Sequence, residues 1–161
     1  MGGHFLTEGG TQYNMTIHEI QERPQLLIDQ LVALWEGSVR ATHLFLSTDE
    51  VTQIKAYVPQ ALRQVPKLVV LTDNDGEPVA FMGLTQHHLD MLFIAADQRG
   101  HGLGKQLLTY GIQQCGVDRL TVNEQNPGAL GFYQHMGFQV TERSATDEQG
   151  QPYPVLTMRL G

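Results

Sequence analysis

The chain is 161 residues long and 41% apolar, which suits a single domain around one packed core. Its formal net charge of −7 argues against a nucleic-acid surface and weakly favours a cationic partner. There is no run of about eighteen apolar residues and no basic-then-apolar leader, and the single cysteine, Cys115, permits no internal disulfide, so a cytoplasmic protein with neither membrane span nor signal peptide is expected.

Residues 1–14, MGGHFLTEGGTQYN, are Gly-rich without a period and read as an N-terminal extension, with the domain expected over 15–161. It starts with a strand at Met15, where MTIHEI alternates. From Pro24 the run PQLLIDQLVALWEGSV sets Leu27, Leu31, Leu34 and Trp35 at helical spacing, and Gly37 marks the expected end. ATHLFL follows, carrying His43. A second helix is expected over 47–62, because capping residues and early acids precede Val51, Ile54, Tyr57 and Val58. KLVVLTD and EPVAFMGLTQ flank Asn74-Asp75-Gly76, a hairpin signal, and HLDMLFIAAD is a further strand that leads into DQRGHGLGKQLL at 97–108. Past the glycines, Leu103, Leu107, Leu108, Ile112 and Cys115 share a helical face that Gly116 ends, and Cys115 reads as a small buried hydrophobe on it. RLTVN, NPGALGFYQHMGF, FQVTERS and PYPVLTMRL then read as strand, helix, strand and strand. Together these make one mixed α/β unit of about six to seven strands and about four helices.

The glycine stretch is where chemistry shows first. A strand, a glycine turn and a helix start present unpaired amide hydrogens with partial positive charge, an anion site for which phosphate is the natural guest. Arg99 and Lys105 add charge at its rim. The nucleotide-triphosphate loop GxxxxGK[ST] fails, with Arg99 at its first glycine and Gln106 at its hydroxyl position, and the dinucleotide string GxGxxG counted from Gly100 meets Lys105 where its last glycine belongs. What fits is RxxGxG, met by Arg99, Gly102 and Gly104.

With that string the chain resembles the GNAT superfamily of acetyl-CoA-dependent N-acetyltransferases. NEQNPGALGFYQHMGF strengthens the resemblance, with Asn126 seven residues before Tyr133 and Gly-Phe after it, and the wording around both motifs looks most like the bacterial YjaB-type enzymes. The resemblance covers roughly 15–161 and implies a mainly antiparallel, splayed sheet flanked by helices. It further implies that the pantetheine arm of acetyl-CoA lies along Leu92, Phe93 and Ile94, and that the pyrophosphate sits on the amides of Gly100, His101, Gly102, Leu103, Gly104 and Lys105, with Arg99 beside them. Asn126 is assigned a cofactor contact and Tyr133 the general acid, although Asn126 before Pro127 is also an ideal helix cap and Tyr133 also suits packing. The implied reaction is direct attack by a primary amine on acetyl-CoA, with no covalent intermediate on Cys115 and no metal.

The general base is where the pattern departs. Some relatives in the superfamily carry a glutamate five residues before the motif's Asn, and here Thr121 fills that place. Asp90, His88, the neighbouring His87 and Glu124 are the substitutes, and an amine that is already neutral needs none. His43 falls in the region that shapes the acceptor pocket in such enzymes. The acceptor itself stays open between small amines and peptides, and the protein is expected as a monomer or homodimer. A non-catalytic acyl-CoA-binding module is the alternative from another class, with a different phosphate ligand such as ATP a third.

Overall fold

The computed structural model describes residues 3–8 and 11–161, with side chains from Met15 onward. The extension read over 1–14 includes residues 1, 2, 9 and 10, which lie outside the described residues. The described residues form an eight-stranded sheet in the order β1-β2-β3-β4-β5-β6-β8-β7, open at both edges and antiparallel except between β5 and β6. The expected mainly antiparallel α/β architecture is present.

The strand read from Met15 begins earlier. It is β2 (Thr11–Ile20), paired with β1 (Gly3–Glu8) on one side and with β3 (Lys67–Thr72) on the other. β3 and β4 (Pro78–Thr85) form the expected hairpin, closed where the Asp73 carboxylate accepts the amides of Asp75 and Glu77 at 2.9 and 3.0 Å. β5 (His88–Ile94), β6 (Arg119–Asn123), β7 (Phe138–Ser144) and β8 (Val155–Leu160) complete the sheet.

Helices cover both faces, which is why the middle strands read as continuous apolar runs. Leu68 and Val70 of β3 pack with α1 (Gln25–Thr42), α2 (Thr48–Lys55) and α3 (Val58–Gln64), while Val69 and Leu71 pack on the face of α4 (Leu103–Cys115) and α5 (Pro127–His135). Burying each such side chain stabilises the fold by about 1.5–3 kcal/mol.

Two helix boundaries differ from expectation. α1 does not stop at Gly37 but continues to Thr42, because Gly37 faces open space and the next turn buries Ser38 and Val39. The segment read as one second helix is two. A capping box starts α2, Ser47 Oγ accepting the Glu50 amide at 3.1 Å and Glu50 returning to the Ser47 amide at 2.9 Å, but Pro59 has no amide hydrogen to carry the ladder across 56–57. Ile54 and Tyr57, read as a buried face, are 39% and 71% exposed as a result.

Candidate functional site

The glycines of residues 100–104 divide their work. Gly100 and Gly102 hold φ of +83° and +76°, a region that disfavours side chains, and Gly102 sits at the cap position of α4, where it offers no side-chain acceptor. No side chain caps that helix and no acid lies in its first turn, so the first amides keep their partial positive charge for an outside anion. Gly104 answers a different need. A Cβ there would lie 3.4 Å from Phe132 Cζ and 3.7 Å from Ile94 Cδ1, so the bare position lets α5 and β5 close against the start of α4. The resulting cavity, about 310 Å³, is lined by Leu92, Phe93, Ile94, Arg99, Gly100, Gly102, Leu103, Gly104 and Lys105 together with Asn126 and Tyr133. His101 is not among its lining residues.

A gap in the sheet continues this cavity. β5 and β6 pair only at His88↔Arg119 and Leu89↔Leu120, and beyond Leu89 the two strands part. The cause is a β-bulge: Leu84 opposes Leu89 and Gly83 opposes Met91, leaving Asp90 as an extra residue without a partner. The extra residue also reverses the alternation, so that Leu89, Leu92 and Ile94 pack on the α4 face while Met91 and Phe93 pack on the α1 face. The edge of β5 from Met91 onward is thus free of β6, in the manner of a strand edge that an extended ligand arm can join.

α5 enters the gap. Asn126 Oδ1 accepts the Ala129 amide at 3.2 Å and Pro127 occupies the first turn, so the cap role read for Asn126 is present while its residue also lines the cleft. Tyr133, 8% exposed, packs beside Phe132 and Phe138 with ring centroids at 5.3 and 6.3 Å. Burial pushes its phenol up to about 12, so the hydroxyl stays protonated across the physiological range.

On the far side of Tyr133 a second cavity, about 490 Å³, opens between the parted strands. Asp90, Thr121, Asn123, Asp147, Glu148 and His43 are among its walls, and no lysine or arginine is. A third cavity of about 560 Å³ adjoins it, sharing Ile54, Asn123, Asp147 and Gln149, and runs between α2 and the β7–β8 connection. The first two cavities have six residues in common: His43, Leu92, Phe93, Asn126, Ala129 and Tyr133.

The substitute bases fare differently. Asp90 reaches the cleft, holding the Thr85 hydroxyl on one oxygen and His88 Nδ1 at 2.5 Å on the other, so His88 bears on the cleft only through Asp90. His87 turns away to the Gly116 carbonyl at 2.8 Å. Glu124 is engaged by Arg143, whose Nη2 donates at 2.8 Å and holds the carboxyl below its usual range, and it lines none of the three cavities. Cys115 lies a helix length from the turn, about 18 Å at 1.5 Å per residue, and burial pushes its thiol up, away from thiolate chemistry. Among the described residues no three His, Cys, Asp or Glu gather as a metal would require, and no helix is long and apolar enough to cross a membrane. Sequence reasoning missed Thr42, Phe132, Asp147 and Glu148. Phe132 had a signal in its motif, but the loop acids had none.

Comparison with known proteins identifies the family. The family model described as "Acetyltransferase (GNAT) domain" matches residues 43–160. The peptidyl-lysine N-acetyltransferase YjaB of Salmonella typhimurium is 45% identical over 130 residues, which cover 81% of this chain and 89% of that protein, and its Escherichia coli counterpart is 42% identical over 81% and 88%. The solution structure of apo-form YjaB from Escherichia coli superposes with a TM-score of 0.81 at 38% identity, covering 91% of this chain and 97% of that one.

Proposed function

This chain belongs to the GNAT acetyltransferase family and is an acyltransferase, and on that premise we propose that it moves the acetyl group of acetyl-CoA to the side-chain amine of a lysine in a peptide or protein. One observation carries the reading: two cavities of opposite character, one rimmed by Arg99 and Lys105 and the other by Asp90, Asp147 and Glu148, meet at Tyr133. A phosphate-bearing thioester suits the first and a cationic amine the second. The third cavity adds room for chain on either side of an acceptor lysine, and the relatives from Salmonella typhimurium and Escherichia coli are named for peptidyl-lysine. The unit proposed to carry the activity is residues 15–161.

The chemistry follows from the meeting point. The pyrophosphate lies on the first amides of α4 and the pantetheine arm runs along the free edge of β5, bringing the thioester to the six shared residues. The lysine amine attacks the carbonyl carbon, a C–N bond forms, and negative charge builds on the carbonyl oxygen, where a β5 backbone amide between Leu92 and Ile94 receives it. The C–S bond then breaks and Tyr133 directs its hydroxyl hydrogen at the departing sulfur. A phenol pushed up to about 12 is a weaker acid than a thiol near 8.5, so its main service is a hydrogen bond to the thiolate as charge develops, with full transfer following. A lysine near 10.4 is only about 0.1% neutral at pH 7.4, so turnover rises with pH until the amine is neutral.

CoA thiol release against lysyl peptides, peptides with only a free N-terminal amine, polyamines, aminoglycosides and free amino acids tests this. Release with lysyl peptides is expected. Release with small amines alone would overturn the peptide acceptor, and none from protein that binds acetyl-CoA would overturn transfer itself.

A further inference from the structure

We propose that His43 is the general base, with Nε2 taking the proton from the acceptor nitrogen as the C–N bond forms. This rests on the lysine-transfer reading and supplies the group that Thr121 cannot.

The argument starts at the end of α1, beyond the glycine where sequence alone would stop it. Thr42 Oγ1 donates to the Ser38 carbonyl at 2.8 Å, and the same oxygen lies 2.8 Å from His43 Nδ1. A carbonyl oxygen can only accept, and a hydroxyl has one hydrogen. With that hydrogen committed to Ser38, Oγ1 accepts from His43, so Nδ1 carries the ring proton and Nε2 keeps a bare lone pair. The ring is further fixed by Phe45, with centroids 5.5 Å apart, which itself leans on Tyr153 at 5.8 Å. His43 caps α1, its amide bonded to the Val39 carbonyl at 2.7 Å, so backbone and ring are both tied down.

Position supports the role. His43, at the end of α1, and Tyr133, on α5, are the two titratable residues common to both cavities, and the remaining shared residues, Leu92, Phe93, Asn126 and Ala129, cannot take a proton. The charged and titratable groups that line those cavities with it are Asp90 from β5, Tyr133 from α5, Asp147 and Glu148 from the β7–β8 connection, and Arg99 and Lys105 from the glycine turn. Asp90 already holds Thr85 and His88. Burial keeps the imidazole below its ordinary 6.5, so it is neutral at working pH.

Such a base is poorly matched to a resting lysine ammonium and well matched to the adduct. Once the neutral amine has bonded to the carbonyl carbon, its nitrogen is positively charged and strongly acidic, and a proton passes readily to Nε2. The ledger closes: the amine gives one proton to His43, the thiolate gains one from Tyr133, and solvent returns the imidazolium and phenolate to their starting forms.

Three measurements decide it. In wild type, kcat/KM for a lysyl peptide requires loss of two protons below the His43 pKa and one above it, so log(kcat/KM) climbs with a slope near 2 that relaxes to near 1 below pH 6.5, whereas His43→Gln climbs with a slope near 1 throughout and runs about 100-fold slower above pH 6.5. Nitrogen NMR of labelled histidine in the wild-type protein reads the tautomer directly, and Nδ1–H with bare Nε2 is expected. Thr42→Val removes the acceptor of that proton and is expected to slow turnover about tenfold and to weaken the Nδ1–H preference in the nitrogen spectrum. An H43Q profile that keeps the wild-type break, or a ring protonated at Nε2, overturns the proposal. The tautomer needs no acceptor, so failure of lysine transfer, with no turnover and Nε2 bare, is distinct from failure of the base, with turnover intact and Nε2 protonated or the break unmoved.

Discussion

The two ends of the cleft are built by different means. The basic end is made of backbone: consecutive residues 99–105, two glycines at positive φ, and the amides of one helix start, with the free edge of β5 beside them. The acidic end is made of side chains drawn from four separated places, His43 after α1, Asp90 at a bulge, Thr121 and Asn123 on β6, and Asp147 and Glu148 in a late connection. A backbone site needs one local conformation and tolerates few substitutions within it. A side-chain site needs only that distant segments converge, so its residues are free to vary, and this is where an enzyme on a common scaffold sets its acceptor.

The comparison breaks most visibly at its junction. Tyr133→Phe is expected to lower kcat about 100-fold while leaving acetyl-CoA affinity within about twofold, checked by steady-state kinetics beside calorimetric titration. Equal loss in kcat and affinity would move Tyr133 from chemistry to packing. The same residue gives a stability signature. Its folded pKa of about 12 exceeds the unfolded value of 10, so the folded state holds the proton longer, and the stability this confers, present in full below pH 10, is lost as pH rises toward 12, by about 2–3 kcal/mol. Tyr110 is also pushed up to about 12, so the difference between wild-type and Y133F denaturation curves over pH 9–12 isolates the Tyr133 share.

At the backbone end, Gly102→Ala forces a side chain into φ +76° and is expected to weaken CoA binding about tenfold, with the KM of the lysyl peptide unchanged. At the side-chain end the reverse holds. Asp147→Asn combined with Glu148→Gln should raise the peptide KM about three- to fivefold at low salt, fading by 0.5 M salt, with CoA binding untouched. The smallest effect is none. Cys115→Ala should retain wild-type kcat, and loss of activity in that folded variant would overturn direct transfer.

Legibility followed the same division. RxxGxG at Arg99, Gly102 and Gly104 and the Asn126–Tyr133 spacing were readable because each is a local string whose spacing is its function. The hairpin around Asp75-Gly76 and the helix ended by Gly116 were readable for the same reason. Gly37 misled, since it is not among the glycines at positive φ and so makes no left-handed cap, and the true end five residues later is what brings Ser38, Thr42 and His43 to the cleft. The split of the second helix was signalled by Pro59 but masked by an apolar pattern that continued through it. Glu124 looked available beside Asn126, and only the pairing of β7 with β8 carried Arg143 to it.

Sequence alone determined the family, the glycine turn that opens α4 and the helix that carries Asn126 and Tyr133, because those depend on residues within one turn or one helix of each other. Tertiary structure decided which titratable groups line the second cavity, through a one-residue bulge at Asp90 where two strands part and a helix end that carries His43 to the gap. No local pattern encodes either event: each depends on long-range packing, the bulge on the pairing of β5 with β4 and the helix end on what α1 buries against the sheet.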